Sequence, residues 1–308
     1  MICLKPVSIR SPNNPAQWLH VPCGKCAACL SKRRQDWKFR LMQEHKASKT
    51  SYFICLTYDD DHLPSDGLVN KRHCQLFLKR LRKYCEPYYK SKEKITGQKV
   101  DRIRYFLVSE YGEKFGRPHY HLLLFNLPLS FDVYDTMKAT WPYCDKSHWY
   151  LKDVIGTVTA KSINYCAKYC LQNLDDVDSR YKTFCLMFRR PGIGFTYVNS
   201  NTTRYHRSGN LKANYTLPGG SVHPLPRYYR DKIFDESEKV ALADRGFDYI
   251  KKKEQETLER YMKKYASRAQ AIYFMKLDQE ALCKNYERNI RNQFKSNYFS
   301  NRGKEETS

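Results

Sequence analysis

The run Gly116-Arg117-Pro118-His119-Tyr120-His121-Leu122-Leu123-Leu124-Phe125-Asn126 limits what this chain can fold into more than any other stretch. Gly116 and Pro118 signal a turn, and the apolar run that follows reads as a buried strand. Side chains alternate along a strand, so His119 and His121 leave one face, roughly 6–7 Å apart along it, while Tyr120 and Leu122 point the other way. Two imidazoles so spaced can hold a divalent metal. A second stretch, Ser162 to Tyr169, reads as helical and sets Tyr165 and Tyr169 one turn apart on one face. A tyrosine pair at that spacing is ordinarily core packing. Beside a metal that polarises a phosphate, the same pair could cut a nucleic-acid strand through a tyrosyl-phosphate link.

Two further residues join this constellation. Ile103 to Glu110 reads as a strand that pairs with the histidine strand as an antiparallel hairpin across Tyr111–Pro118. With an even-length connection Glu110 falls on the histidine face as a third metal ligand, leaving positions open for water and phosphate. A strand-end glutamate is otherwise a surface residue. Lys168, next to Tyr169 and one turn from Asn164, is placed to steady a phosphate and to lower a phenol's pKa.

Charge points to the partner. The 308 residues carry 55 Lys+Arg against 32 Asp+Glu, a net +23, and a polyanion is the partner that such a balance suits. The 25 Tyr and 15 Phe interleave with these cations, as suits single-stranded nucleic acid. No apolar run is long enough to span a membrane. The N-terminus lacks the pattern of a secretory signal, so the 12 cysteines are expected as reduced thiols or metal ligands in a cytoplasm. Cys23, Cys26 and Cys29 form two overlapping C-x-x-C steps suited to zinc. Cys55, Cys74 or Cys85 could complete the set, and free thiols are the alternative.

The chain divides into a Cys-rich segment and basic helix (1–50), a nuclease core (51–200) and a basic, mainly helical region with a disordered tail (201–308). Residues 1–30 read as extended loop. Leu30–Lys49 reads as a helix whose basic face, including Arg33 and Arg34, is either solvated or tracks phosphates. A strand over Ser51–Tyr58 runs into Asp59, Asp60 and Asp61, which suit a turn better than a metal. A helix over His73–Tyr84 precedes a polar loop at 86–101. Next come a helix over Phe131–Ala139, a strand within the aromatic stretch 141–150, and the tyrosine helix over Lys161–Gln172. Arg189 and Arg190 sit in a Gly-broken loop, 201–230 reads as basic loop, and 231–294 reads as helix. Arg33, Arg34, Arg117, Arg189 and Arg190 are the candidate DNA contacts.

Taken together, five segments in this order resemble the replication initiator proteins of small single-stranded DNA phages of the microvirus group (gokushovirus-like), within the HUH endonuclease superfamily. They are Pro22–Cys29, Phe53–Pro64, Ser109-Glu110-Tyr111-Gly112 running into the histidine strand, Tyr165-x-x-Lys168-Tyr169, and Arg189 to Gly194. The resemblance spans roughly residues 20–195. It implies an α+β fold, a central antiparallel sheet flanked by helices, with the tyrosine helix packed across the histidines. It also implies Mg2+ or Mn2+ at His119 and His121, of which imidazole donors suit Mn2+ better. A tyrosine then attacks origin DNA to give a 5′-phosphotyrosine and a free 3′-OH primer, and the second tyrosine allows rejoining. Host polymerase and helicase are the implied partners, and the host bacterial cytoplasm the compartment. Tyr120 stands where the superfamily usually has a bulky hydrophobic residue, and the C-terminal third carries no family motif. The competing reading is a non-catalytic nucleic-acid-binding protein with a zinc-knuckle-like cysteine segment. A single-tyrosine transposase or relaxase fits less well, because two tyrosines lie one turn apart.

Overall fold

A computed structural model describes residues 3, 5–10, 16, 18–112, 116–152, 154–169, 182–217 and 219–294. The fold is α+β. The chain forms two compact units, Trp37–Thr196 and Met1–Asp36 with Tyr197–Phe294.

The first unit is built on a five-stranded antiparallel sheet made of β3 (Ser51–Leu56), β4 (Arg104–Tyr111), β5 (Pro118–Phe125), β6 (Ile155–Thr157) and β7 (Cys185–Met187), in the order β6-β3-β5-β4-β7. The histidine strand β5 is central, and its apolar run is explained by burial on both faces. On one face Tyr120, Leu122 and Leu124 pack with Ile54 and Leu107 against α2 (Lys71–Thr96) and α3 (Val133–Thr140). On the other, Leu123, Phe125, Phe106 and Val108 pack against Leu41 of α1 (Ala27–Ala47) and Ile163, Cys166 and Tyr169 of α4 (Ala160–Tyr169). Arg104 and Glu44 form a buried ion pair on that face, and Glu44 also accepts from the Gly194 amide at 2.6 Å.

Helix α2 runs well past Tyr84, through most of the stretch expected as polar loop. Asn70 caps its start by accepting from the His73 amide at 3.0 Å, and Gly97, at φ 65°, ends it. Between them the buried stripe continues from Leu81 through Cys85 to Tyr89 despite Pro87, and Arg102 pairs with Glu86 and Glu93 on the wet side at 3.1 Å each. The aromatic stretch 141–150 is no strand. Its Trp141 and Trp149 are core plugs, and residues Lys146–Tyr150 form a 3-10 turn before β6. The end of the expected tyrosine helix, beyond Tyr169, lies outside the described residues, as does the C-terminal tail.

In the other unit, residues 1–30 are not featureless. β1 (Val7–Arg10) and β2 (Trp18–Val21) pair as an antiparallel hairpin. Residues 201–230 likewise contain α5 (Ser200–Arg207), the short hairpin β8 (Asn214–Thr216) with β9 (Val222–Pro224), and the start of α6 (Arg227–Ile233). An Asn199/Thr202 capping box starts α5. Its His206 is fully buried, donating from Nδ1 to the Lys212 carbonyl at 2.5 Å and accepting at Nε2 from the Tyr197 hydroxyl at 2.8 Å. The expected C-terminal helices are α7 (Glu236–Met262) and α8 (Arg268–Phe294). Among the described residues, no helix is long and apolar enough to cross a membrane.

Candidate active site

The β4–β5 hairpin sets the site. Its register places Glu110 opposite His119 and Val108 opposite His121. A period of two then puts Glu110, His119 and His121 on the α4 face. The connection is held by the Gly112 amide donating to the Arg117 carbonyl at 2.9 Å, and Gly116 takes φ 61°, a turn conformation that a side chain would strain. The ligand atoms of Glu110, His119 and His121 lie within 4.8 Å of one another.

Every functional side chain here meets one carboxylate. His121 Nε2 lies 2.9 Å from Glu110 Oε2 and His119 Nε2 lies 3.4 Å from the same oxygen. The Tyr165 hydroxyl donates to Oε2 at 2.7 Å, and the Tyr169 hydroxyl donates to Oε1. Burial alone would raise the Glu110 carboxyl, but the hydrogen bonds from His119, His121 and Tyr169 outweigh it and hold the group well below the usual carboxylate range. The same burial pushes both phenols well above their ordinary value, and the Glu110 charge adds to it. Lys168 reaches only to 5.5 Å from the centre of the Tyr169 ring, and the expected lowering of a phenol does not result.

The donor set suits a divalent cation. His119 Nδ1 faces the Arg117 carbonyl at 3.2 Å, a contact that needs a proton on Nδ1. A neutral ring therefore turns a lone pair toward the Glu110 oxygen, an opposition that a cation between them resolves. The His121 ring is stacked under Phe53, 5.4 Å between centroids, and met edge-on by Tyr165 at 4.9 Å. Its Nδ1 is buried with no hydrogen-bond partner, so Glu110 is the ring's polar anchor. Burial holds His121 below the ordinary histidine value.

The two tyrosines differ. Tyr165 is 37% exposed and Tyr169 8%, so one phenol faces solvent and the other lies in the core. Phe53 was not picked out in the sequence, where an aromatic residue within a strand carries no sign of which ring it will support.

The candidate DNA contacts are scattered. Arg117 is committed to the β3–α2 loop, donating to Asp60 at 2.5 Å and to the Tyr58 carbonyl at 3.0 Å. Asp59 accepts from the His62 amide at 2.9 Å, as a turn residue does. Arg189 and Arg190 line a cavity of about 500 Å³ with Lys71, Arg82, Tyr105 and Phe188. Arg33 donates to the Gly24 carbonyl at 3.4 Å, and Arg34 is half-buried.

A second group of metal-competent ligands lies in the other unit, where Cys23, Cys26 and Cys29 are joined by Cys3. The expected fourth thiols are elsewhere. Cys74 and Cys85 are buried in α2, and Cys55 stands across from His121 on β3, its thiol pushed up to about 12 by burial. The signal for Cys3 was spacing across a hairpin. Continued past Val7, the β1–β2 register brings Cys3 level with residue 25.

A family model for the replication-associated protein ORF2 matches residues 51–174. The chain is 31% identical over 259 residues to replication-associated protein ORF2 of Spiroplasma virus 4, covering 78% of this chain and 74% of that one. It is 29% identical over 226 residues to replication-associated protein VP4 of Bdellovibrio phage phiMH2K, covering 68% and 66%. With replication-associated protein ORF4 of Chlamydia phage 1 it shares 36% over 105 residues, or 34% and 24%. No solved structure matches the chain.

Proposed function

The chain belongs to the family of microvirus replication-associated proteins, and we propose that it initiates rolling-circle replication by nicking single-stranded or origin DNA through a tyrosine. The observation that carries this reading is the convergence of both phenols and both imidazoles on Glu110. Tyr165, the exposed phenol, attacks the scissile phosphorus. The new bond joins its oxygen to phosphorus, the bond from phosphorus to the 3′ oxygen breaks, and the phenolic proton ends on that oxygen. The products are a 5′-phosphotyrosine and a 3′-OH primer, and the covalent link keeps the phosphodiester's energy for rejoining. Tyr169, one turn away, serves the second cleavage and transfer. Glu110, His119 and His121 would hold Mg2+ or, better suited to imidazole, Mn2+, which when bound draws charge from the scissile phosphate.

The cationic cavity of Lys71, Arg82, Arg189 and Arg190 takes part of the bound strand, with Tyr105 and Phe188 available for base stacking. Arg33, Arg34, Arg117 and Lys168 contribute phosphate contacts. Host polymerase and helicase extend the primer in the host bacterial cytoplasm.

The test is a covalent-adduct assay on labelled circular single-stranded phage DNA with Mn2+, with and without EDTA. A metal-dependent adduct is expected. It should be weakened most by Tyr165→Phe among the single phenol variants, and abolished by the double Tyr165→Phe/Tyr169→Phe variant and by His119→Ala. Retention of origin DNA without any adduct would sink the nuclease reading and favour a non-catalytic DNA-binding protein.

A further inference from the structure

We propose that Cys3, Cys23, Cys26 and Cys29 form a closed, structural zinc site that locks the N-terminal hairpin to the start of α1. The thiol sulfurs stand 3.6 Å (Cys3–Cys23), 3.8 Å (Cys3–Cys26) and 4.0 Å (Cys23–Cys29) apart. Four sulfurs bound tetrahedrally to zinc at about 2.3 Å lie about 3.8 Å from one another, so these are the edges of a zinc tetrahedron. They are far longer than the about 2.05 Å of a disulfide.

The surrounding backbone is arranged for thiolates. The Cys23 amide donates to the Cys3 sulfur and the Cys26 amide to the Cys23 sulfur, each at 3.3 Å. Such bonds orient sulfur ligands and spread their charge. Gly24, at φ 76°, turns the chain so that Cys23 and Cys26 face one point, and Arg33 holds the Gly24 carbonyl. Cys29 lies in the first turn of α1, where the helix dipole favours negative charge and no carboxylate competes.

The hairpin supplies the need. Its four residue pairs carry exposed side chains, with Val7 47%, Ile9 40% and Trp18 59% accessible. A lone two-stranded hairpin without a buried face has little stability of its own. Four thiolates leave zinc no open position, so the site holds structure and does no chemistry.

The site is independent of the nicking reading, and the experiment keeps them apart. The full chain is expressed with zinc in the medium, purified without chelator, and its metals are counted by mass spectrometry. About one zinc per chain is expected, released into a colorimetric chelator as a mercurial blocks the thiols. His119→Ala and Cys144→Ser should keep that zinc, and Cys3→Ser should lose most of it. Because Cys3→Ser could lose zinc by misfolding, wild-type chain exchanged with Co2+ is the second measurement. It should show the intense thiolate-to-cobalt charge-transfer band and visible absorption of a tetrahedral four-sulfur site. Absence of zinc, iron in its place, zinc retained at wild-type level in Cys3→Ser, loss of that zinc in His119→Ala or Cys144→Ser, or cobalt bound without that spectrum would each overturn the proposal.

Discussion

The Glu110–His119–His121 cluster and the four-cysteine cluster gather their ligand atoms within the same 4.8 Å, by opposite means. The first stands on two paired strands whose register fixes each side chain, and its carboxylate is already shared among two rings and two phenols. The second is folded from a loop and a helix start, and its fourth member comes from 20 residues upstream. Rigid strands hold an incomplete ligand set with room for a reacting group, whereas a loop reaches four ligands by wrapping around the ion. Chemistry should therefore depend on the first cluster and folding on the second.

Substitutions that exchange these dependences test the contrast most strongly. Glu110→Gln is expected to slow adduct formation by about a hundred- to ten-thousandfold while the chain still folds, as loss of a several-kcal/mol charge interaction implies. Cys3→Ser should do the reverse, lowering stability by several kcal/mol while leaving nicking per folded molecule nearly intact. Equal activity losses in calibrated single-turnover assays would erase the distinction.

Next in size is the buried Arg104–Glu44 pair of the sheet unit. Glu44→Gln, which leaves the Arg104 charge uncompensated, should cost about 3–5 kcal/mol in urea denaturation, and an apolar replacement of both residues should recover much of it. Tyr120→Phe separates the two faces of the histidine strand. Its hydroxyl accepts from the Asn70 amide at 2.7 Å and lies 2.9 Å from the Tyr58 hydroxyl, so its loss should cost about 1–3 kcal/mol, with the adduct rate of the folded protein unchanged. The smallest effect is one of pH. Burial holds His206 below the ordinary histidine value, so the folded unit keeps it neutral while the unfolded chain takes up a proton. Its contribution is whole above about pH 6.5 and is lost as pH falls toward and through its lower folded value. Thermal melts between pH 7.5 and 5 should fall less steeply in His206→Gln than in the parent chain.

The parts legible in sequence were those where side-chain period and chemistry coincide. An apolar run flanking His-x-His gave β5, the facing acid-ended run gave β4, and a four-residue tyrosine spacing gave the catalytic face of α4. Regions governed by tertiary packing stayed hidden. Past Tyr84 the polar residues of α2 mask a stripe that continues only through Cys85 and Tyr89. Trp141 and Trp149 look like strand residues until the core that they fill is known. β7, β8 and β9 have three residues each, too few to show a period. Cys3 lacked a neighbouring thiol in sequence, and Arg189 and Arg190 lacked any local mark of the cavity that they line.

The facing register of β4 and β5 also bears on how such a chain can diverge. Individual residues of either strand can be exchanged while the backbone count is kept. Inserting or deleting one residue within a strand, between its catalytic member and the rest of the sheet, would send that member to the α2 side and bring an apolar neighbour into its place. Extra length can gather in the turn outside the paired positions, where it moves no face. Along this lineage the spacing from Glu110 back through β4, and from His119 to Phe125, should outlast most of the amino acids that fill it.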